Sequence, residues 1–474
     1  MKTSDIKKRF RSYTPGSLAR NGPAPGEFKF GHLVWYPKGD VLVPDHIVRR
    51  RLTIWYENLG VEPMFVKEYL ETEHHLIVPR RFFGPPLLNG QDIFHYGDYL
   101  RRFRNDRLPL RTTFSLWDDQ VAPYDAMLAS VETGGGILHR SCGAGKTVLA
   151  IKLAETLNVP TAVITDQLGI LEQWGESAKK FLGLRDDEIG LVGDGVFDYK
   201  KPLVLCSATT VGRNYHCLPT DFYHRFGLVI FDEAHHTPAR IYRPTLKMFG
   251  GIRIALTATF NRPDKLEKLC LLHIGPILYE DLSTQLDYDL YVVRTGLRPK
   301  VPKDIGTYWV SLGKNEKRNE MILDVIYALR AAGRRTLVIG FSKDQLKMLH
   351  EQVENSGIII AEVNFRDRPS VLRNHDVTFG IWKCARDGLD AQNLDAVLFI
   401  SPFKDLNGFI QGSGRSLRKK DGKKKPLIII FRDGDNRSYR LVNTLLNKLK
   451  ESRGKEPAGV MKSETMVEHI REFR

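Results

Sequence analysis

RSCGAGKT, residues 140–147, is the stretch that decides the fold of this 474-residue chain. It follows the apolar run 136–138 and precedes the apolar run 148–151, which predicts a strand, a glycine-rich loop and a helix. Gly143 and Gly145 would let backbone N–H groups close around phosphate oxygens at the positive end of the helix dipole. Arg140 departs from the usual pattern, which begins with glycine at this position.

This unit predicts a nucleoside triphosphate site. Lys146 can reach the β- and γ-phosphates, and the hydroxyl of Thr147 can ligate Mg²⁺. The remaining candidate nucleotide contacts are backbone groups of the same loop and of the helix that follows it: Gly143, Ala144, Gly145 and Val148. We therefore expect ATP and Mg²⁺ as the cofactors.

A second signal lies downstream, where the apolar run 228–230 leads into FDEAH, residues 231–235. A buried strand that ends in adjacent carboxylates delivers them to the carboxyl end of a parallel sheet, where α/β folds place their ligands. We expect Asp232 to hold Mg²⁺ through its water shell, and Glu233 to orient and deprotonate the attacking water. Behind a phosphate loop, this pair predicts hydrolysis of the nucleotide.

The composition is that of a soluble globular protein of about three domains, with 42% hydrophobic and 27% charged residues. A formal charge of +15 indicates a polyanionic partner, although such charge can also serve solubility alone. No apolar run approaches the roughly 18 residues of a membrane span, and no signal peptide is evident. Five cysteines without metal-type spacing favour free thiols, so we expect a cytoplasmic protein that is not secreted.

Alternating apolar runs and helical stretches predict an α/β fold with two doubly wound parallel-sheet lobes. The first series of strands is expected at 136–138, 161–165, 203–207, 228–231 and 253–257, and the second at 336–340, 357–363, 377–381, 396–400 and 426–431. Residues before the first series lack this alternation and predict a small basic α+β domain, with strands near 31–36 and 51–56.

Four regions are expected from this pattern. Residues 1–113 would form the N-terminal domain for nucleic-acid binding and substrate recognition, 114–296 the ATP-binding lobe, 297–440 the second lobe, and 441–474 a helical tail. The stretch 281–313 is less regular and ends near two prolines, which suggests a linker between the lobes.

The segment FIQGSGRSLR, residues 409–418, suggests how the second lobe completes the site. Arg415 and Arg418 are three residues apart, so both guanidinium groups would lie on one side of a helix turn. There they could stabilise charge on the γ-phosphate as arginine fingers. A basic surface helix is the alternative interpretation.

Over roughly residues 114–432 the chain resembles the superfamily 2 helicases with a DEAH box, and most of all the DNA-directed group that contains XPB, UvsW and similar phage branch-migration helicases. That resemblance rests on segments in the family order: FSLWDDQ (114–120), SCGAGKT (141–147), ITD to EQW (164–174), LCSATT (205–210), LTATF (256–260), DGLD (387–390) and the segment around Gln411. It implies two RecA-like lobes and, for a phage-encoded chain, a place in the host cytoplasm or nucleoid.

The resemblance also implies roles for single residues. Gln120 would read the adenine, His235 would contact the nucleotide, and Gly388 and Asp390 would lie at the ATP or strand interface. Residues expected to contact the nucleic-acid backbone are Thr165, Gln173, Trp174 and Thr209, and those expected to couple nucleotide state to lobe closure are Thr257, Thr259, His235 and Gln411.

The N-terminal domain adds arginines interleaved with aromatic residues, which suits phosphate contacts and base stacking. The clusters are Arg9–Arg11, Trp35–Lys38, Arg49–Arg51 and Arg80–Phe83, and the first lies outside the residues that the structure describes. In the alternative interpretation the aromatic residues fill a small core and the arginines are solvated. We expect sequence-tolerant binding of single-stranded and branched duplex DNA by a monomer, together with replication or recombination proteins.

The expected function is an ATP-dependent DNA helicase or translocase that acts on forks and junctions in replication, recombination or repair, with 3′→5′ polarity taken from the relatives. Two alternatives share the lobes: the motor subunit of a restriction-type system and an RNA helicase. A DNA-binding scaffold without activity is disfavoured, because Lys146, Asp232, Glu233 and Arg415 are all present.

Overall fold

The computed structural model describes residues 33–38, 44–56, 64–82, 87–88, 91–92, 96–141, 143–260, 262, 264–281, 287–363, 367–382, 384, 394–413 and 424–472. The chain divides into two compact units. The first contains Met1–Ser141 and Gly145–Leu282, and the second contains Ser283–Arg474 with Cys142–Ala144. Each unit is built on a mainly parallel sheet, which confirms the predicted two-lobed α/β fold.

The first unit opens with a small α+β segment. A three-stranded antiparallel sheet has the order β1-β5-β4, and two further pairs, β2-β3 and β6-β7, stand beside it in the chain. Its elements are β1 Leu33–Pro37, α1 Asp45–Arg51, β2 Thr53–Tyr56, β3 Met64–Lys67, β4 Leu70–Glu71, β5 His75–Pro79, β6 Leu87–Leu88, β7 Gln91–Asp92 and α2 Tyr96–Arg101. The strand expected at 51–56 therefore begins two residues later, because Arg51 still belongs to the helix.

Among the described residues of the first unit, the main sheet has eight strands in the order β11-β10-β12-β9-β13-β14-β8-β15, and all neighbours are parallel except β10 and β11. Its strands are β8 Gly135–Arg140, β9 Thr161–Thr165, β10 Ile189–Gly193, β11 Val196–Phe197, β12 Leu203–Ser207, β13 Leu228–Phe231, β14 Ile252–Thr257 and β15 Ile277–Asp281. Its helices are α3 Asp118–Ala129, α4 Lys146–Leu157, α5 Leu168–Leu182, α6 Ala208–Asn214, α7 Thr220–His224, α8 Arg243–Met248 and α9 Lys268–His273.

Helices cover both faces of this sheet. Because side chains alternate along a strand, Leu138 and Val163 belong to one hydrophobic cluster, while their neighbours Ile137 and Ala162 belong to another. Burial on both faces explains why these strands read as continuous apolar runs in the sequence.

In the described part of the second unit, seven strands, all parallel, form a sheet in the order β18-β19-β17-β20-β21-β16-β22. They are β16 Asp289–Arg294, β17 Thr336–Gly340, β18 Gly357–Ile359, β19 Val377–Ile381, β20 Ala396–Phe399, β21 Leu427–Arg432 and β22 Gly459–Lys462. The helices are α10 Ile305–Gly313, α11 Glu316–Ala331, α12 Lys343–Gln352, α13 Arg368–Asn374, α14 Leu406–Ser413, α15 Asn436–Arg453 and α16 Ser463–Glu472.

Two boundary predictions need correction. β16 lies in the stretch expected to be a linker, yet it pairs with β21 and β22 in the second sheet, and the second unit accordingly begins at Ser283 rather than 297. The region 441–474 is not a separate tail, because β22 completes the same sheet and Met466 and Ile470 are buried in its core.

The N-terminal segment packs against the amino edge of the first sheet, which we define as the chain around Gly134, Gly251 and Ile274 that leads into β8, β14 and β15. The buried guanidinium of Arg80 donates to the carbonyls of Gly134 and Gly251, both at 2.9 Å. Arg81 donates to Gly135 O at 2.7 Å and to Ile274 O at 3.3 Å. These two arginines, predicted to contact nucleic acid, instead fix the segment to the sheet.

A buried ionic group joins the same two parts. The carboxylate of Glu68 lies 2.9 Å from His273 Nε2 and 2.8 Å from Lys247 Nζ. Burial would raise the pKa of Glu68, but its bond to His273 and the charge on Lys247 hold that pKa at about 2. Burial lowers the pKa of His273 to about 4, so the imidazole is neutral at neutral pH and Lys247 is the charged partner.

Candidate active site

The loop after β8 has the backbone expected of a phosphate cradle. Gly143 and Gly145 adopt φ values of 80° and 75°, a left-handed conformation that glycine tolerates best. A Cβ atom on Gly145 would also lie 2.4 Å from Nε2 of Gln120, so the Gln120 side chain would have to move to admit one. Gln120 is buried against this loop, where the resemblance expected an adenine-reading residue.

Lys146 opens α4, and its ammonium folds back onto the loop. Its Nζ donates to the carbonyls of Arg140 and Ser141, both at 3.0 Å. The N-cap residue of α4 is Gly145, so no side chain caps the first N–H groups of this helix. Uncapped N–H groups, a helix dipole and a nearby cation together fit the phosphates of a nucleotide.

Arg140, the departure from the usual loop pattern, is fully buried. Its Nη2 lies 3.4 Å from the Asp281 carboxylate, at the end of β15, and 3.6 Å from the carboxylate of Asp119 in α3. The same nitrogen donates to the Asp119 carbonyl at 3.2 Å. The arginine therefore ties the helix that carries Gln120 to the entrance of the loop, a role that the loop pattern alone did not indicate.

Asp232 follows β13 and is buried at the carboxyl edge of the sheet, which we define as the chain after β8, β9, β13 and β14. Its Oδ2 accepts a hydrogen bond from Trp174 Nε1 at 2.8 Å, and its Oδ1 accepts one from the backbone N–H of Glu233 at 2.9 Å. Burial raises the pKa of Asp232, and the bond from Trp174 and the charge on Lys146 oppose that rise. The phosphate-loop cation thus favours the charged form of this carboxylate.

Glu233 adopts a left-handed backbone, with φ 48° and ψ 47°, which is uncommon for a residue other than glycine and often marks a functional site. Its Oε2 lies 3.4 Å from Nδ1 of His235, and that nitrogen lies 3.3 Å from Oγ1 of Thr257. Thr257 in turn donates to Thr259 O at 2.6 Å. The structure therefore brings together Glu233, His235, Thr257 and Thr259, the residues expected to catalyse and couple.

The oxygen donors of this edge fit magnesium. Mg²⁺ prefers few protein ligands, typically one or two carboxylates, and keeps waters and substrate phosphates as the others. Asp232 and the half-buried hydroxyl residue Thr147 supply that kind of donor set. Within the described part of the chain, no cluster of three or more histidine, cysteine or acidic residues forms a dedicated metal cage.

Two of the residues expected to contact nucleic acid are buried in this structure. Trp174 is 2% exposed and bonded to Asp232, and Thr165 is also 2% exposed, so neither presents a surface to a strand. Trp174 lies on the face of α5 that packs in the core, and Thr165 is the last residue of the buried strand β9. A linear motif does not show which residues of an element are buried. Gln173 and Thr209 are half-buried, and Thr209 lies in the first turn of α6.

The N-terminal arginines divide into two kinds. Arg49 is paired with Glu71 at 2.8 Å and with Asp45 at 3.6 Å. Arg50 and Arg51 are exposed at the end of α1. Within the cluster 49–51, Arg50 and Arg51 keep the exposure expected of phosphate contacts.

The predicted contribution of the second unit lies largely outside the described residues. Arg415, Arg418, Gly388 and Asp390 fall in those parts of the chain, and Gln411 belongs to α14 without a described side chain. Their roles stay predictions.

Comparison with known proteins supports the chemistry of this edge. The family model described as "Type III restriction enzyme, res subunit" matches residues 113–262, which span the phosphate loop, Asp232 and Thr259. An ATP-dependent RNA helicase, L396, of Acanthamoeba polyphaga mimivirus is 23% identical over 407 residues, 80% of this chain and 76% of that protein. The DNA 3′-5′ translocase XPB2 of Sulfurisphaera tokodaii is 31% identical over 186 residues, 38% of this chain and 40% of that protein.

Among solved structures, the fold resembles the DNA-bound Type ISP restriction-modification enzyme LlaBIII, with a TM-score of 0.54 and 17% identity over 76% of this chain and 32% of that one. Among the described residues, no helix is both long and apolar enough to cross a membrane. The matches and the site identify an ATP-hydrolysing enzyme of the superfamily 2 helicase type.

Proposed function

We propose that this chain is a Mg²⁺-ATP-driven DNA translocase or helicase of the DEAH-box, XPB-like group that moves 3′→5′ and acts on branched DNA. One observation carries the proposal: Lys146, which opens the helix after β8, and Asp232, which follows β13, lie at the same carboxyl edge of the parallel sheet, and Glu233 with its left-handed backbone follows Asp232 directly. This is the arrangement needed to hold a metal-bound triphosphate and to activate water beside it.

The residues divide the chemistry between them. Lys146 and the N–H groups of α4 hold the phosphates, Thr147 and Asp232 would hold Mg²⁺, and Glu233 takes a proton from the attacking water. Bound Mg²⁺ would neutralise charge that develops on the phosphates. His235, which lies between Glu233 and Thr257, is placed to respond when the charge beside Glu233 changes.

DNA is the proposed partner because of the net charge of +15 and the names of two similar proteins, a DNA translocase and a DNA-bound restriction enzyme. Contacts to phosphates carry no sequence information, so binding should be sequence-tolerant and should weaken steeply with salt. RNA is the second candidate, because the mimivirus relative is named an RNA helicase.

The exposed residues Arg50 and Arg51 support a role of the N-terminal segment in junction recognition. We propose that they contact phosphates of a second duplex arm. Replacing both with glutamine should reduce ATPase stimulation by a fork more than stimulation by single-stranded DNA. Arg49→Gln is the matched control, since its guanidinium is already paired with Glu71.

ATPase measurements test the proposal. Purified chain should release phosphate faster with fork, three-way and four-way DNA than with linear duplex, and faster with DNA than with RNA of the same sequence. Lys146→Ala serves as the blank for contaminating ATPases. Equal stimulation by RNA would favour the second candidate, and no stimulation by any nucleic acid would refute the translocase.

The match to a restriction-enzyme family model favours a further alternative, the motor subunit of a restriction-type system. Such a motor would follow duplex DNA without regard to branches. Displacement of a labelled triplex strand measures this movement. Equal rates of displacement on linear duplex and on forked DNA would favour the restriction-type motor over the branch-specific enzyme.

A further inference from the structure

The indole of Trp174 makes a contact that the proposed mechanism does not use. Its Nε1 donates to Oδ2 of Asp232 at 2.8 Å, while the backbone N–H of Glu233 donates to Oδ1 at 2.9 Å. Each oxygen of the carboxylate therefore has one fixed donor from the protein. A carboxylate held at both oxygens is restricted in its rotation about the Cβ–Cγ bond and keeps its remaining lone pairs in defined directions.

The position of Trp174 is itself fixed by packing. It lies on α5 with Leu171 and Ala178, which are one helical turn away on either side, and all three belong to the same buried cluster as Leu205 of β12. Trp174 is 2% exposed and has the largest of the fully buried side chains among the residues that the structure describes. A hydrogen bond to a charged carboxylate is stronger than one between neutral groups. The indole therefore stabilises the position of the Asp232 carboxylate as well as packing in the core.

Helix α5 also carries Gln173, the neighbour of Trp174 and a residue expected to contact the nucleic-acid backbone. Adjacent residues point about 100° apart on a helix, so one faces the sheet while the other lies nearer the surface. A displacement of α5 on strand binding would thus move the indole and the carboxylate together.

We propose that Trp174 is a positioning residue for the metal-binding carboxylate of Asp232, and that α5 transmits nucleic-acid binding to this carboxylate through the indole. The proposal rests on the nucleic-acid-stimulated ATPase proposed above. It assigns no catalytic role to Trp174, which acts only through Asp232.

Trp174→Phe tests the first part, because phenylalanine keeps the ring in the core but cannot donate a hydrogen bond. Loss of an outer partner of a metal ligand typically weakens metal binding roughly tenfold to a hundredfold. We expect the Mg²⁺ concentration for half-maximal ATPase to rise about tenfold. Binding of Mn²⁺ in the presence of ADP, followed by electron paramagnetic resonance, should weaken by a similar factor without any turnover.

Trp309→Phe is the matched control. Trp309 also donates from its indole, to Pro402 O at 3.0 Å, but it lies in the second unit. Trp309→Phe removes an indole donor that is bonded to a backbone carbonyl. The Mg²⁺ concentration for half-maximal ATPase should therefore stay unchanged in this variant. Affinity for a fluorescent ADP in EDTA should match the wild type in both variants, because the phosphate loop is intact.

Phenylalanine is smaller than tryptophan and could disturb the packing of the core. Benzothienylalanine, a sulfur analogue of tryptophan, avoids this at position 174, because it keeps the bicyclic shape and lacks only the N–H group. An unchanged Mg²⁺ requirement and Mn²⁺ affinity in this form would overturn the positioning role. Wild-type ATPase without nucleic-acid stimulation would instead reject the proposed function, and Mn²⁺ binding would still decide the role of Trp174.

The second part predicts that stimulation by single-stranded DNA, expressed as the ratio of stimulated to basal rate at saturating Mg²⁺, falls at least threefold in both forms at position 174. A ratio equal to that of the wild type would overturn transmission through α5.

Discussion

At both the amino edge and the carboxyl edge of the first sheet, cationic side chains are bonded to backbone carbonyls, but these cations have different roles at the two edges. At the amino edge Arg80 and Arg253 are buried, and Arg253 donates to the carbonyls of Leu246 and His273 at 2.7 and 2.8 Å. At the carboxyl edge Lys146 is half-buried, and its two carbonyl partners belong to the phosphate loop itself.

The difference lies in which partners can be exchanged. A buried guanidinium has no access to a ligand, and its carbonyl partners are fixed by the sheet, so its bonds stabilise the fold. A half-buried ammonium can leave its carbonyls for phosphate oxygens, which are stronger partners because they are charged. Arg140 belongs to the first kind although it lies at the end of β8, where the phosphate loop begins, because it is fully buried between two aspartates.

Lys146→Ala gives the largest effect expected from this comparison. The triphosphate loses the cation of its loop, so the rate of ATP turnover should fall roughly a thousandfold. The melting temperature should fall less than in Arg80→Ala, because water can reach the position of the half-buried Lys146 and replace its ammonium at the carbonyls of Arg140 and Ser141. Turnover near the wild-type rate would contradict the assignment of the carboxyl edge as the active site.

Glu233→Gln should separate binding from chemistry at the same edge. The amide cannot accept the proton of water, so we expect hydrolysis to slow by roughly a hundredfold or more. Affinity for ATP, measured by equilibrium binding, should stay within a factor of about three because the phosphate contacts remain. A parallel loss of affinity and hydrolysis would assign Glu233 to nucleotide binding.

Arg80→Ala should show the opposite pattern. The carbonyls of Gly134 and Gly251 lose their buried donor, which should lower the free energy of unfolding by about 3 kcal/mol. Denaturant unfolding measures this change. Below the unfolding transition, KM for ATP should equal that of the wild type, and Arg50→Ala is the exposed control with little effect on either quantity.

The ionic group of the amino edge predicts a dependence of stability on pH. Since the folded state lowers the pKa of His273 to about 4 from its ordinary 6.5, the unfolded chain binds this proton first as the pH falls. Stability should therefore decrease from about pH 6.5 toward pH 4, by at most roughly 3 kcal/mol from this group.

His273→Gln isolates that contribution, because an amide can still donate to Glu68 but does not titrate. The difference in unfolding free energy between variant and wild type, measured in urea at several pH values, should change across this window. A constant difference would show that His273 does not govern acid stability.

Much of this architecture could be predicted, because strands buried on both faces leave continuous apolar runs. The expected bounds of 161–165, 203–207, 228–231 and 336–340 agree with β9, β12, β13 and β17. β22 was not predicted from the sequence, because only alternate residues of this edge strand are partly buried and it leaves no continuous apolar run. β16 was not predicted either, because its partners β21 and β22 lie far along the chain.

The placement of the candidate site residues could be predicted where it depends on one local motif, as at Gly145, Lys146 and Asp232. It was not predictable where the role depends on which face of an element is buried. Trp174 sits beside Gln173 in sequence, but only the packing of α5 shows that it faces Asp232. Likewise the partner of Arg140, Asp281, lies in another strand and has no motif of its own.

The place of β16 in the second sheet bears on how the chain folds during synthesis. This strand leaves the ribosome early, yet both of its neighbours, β21 and β22, are made near the end of the second unit. Until then its polar backbone lacks hydrogen-bonding neighbours, and an early intermediate would expose the apolar residues Leu290 and Val292. Nascent chains halted before residue 459 should therefore bind chaperones and be cleaved by proteases within the second unit, while the first unit already resists digestion.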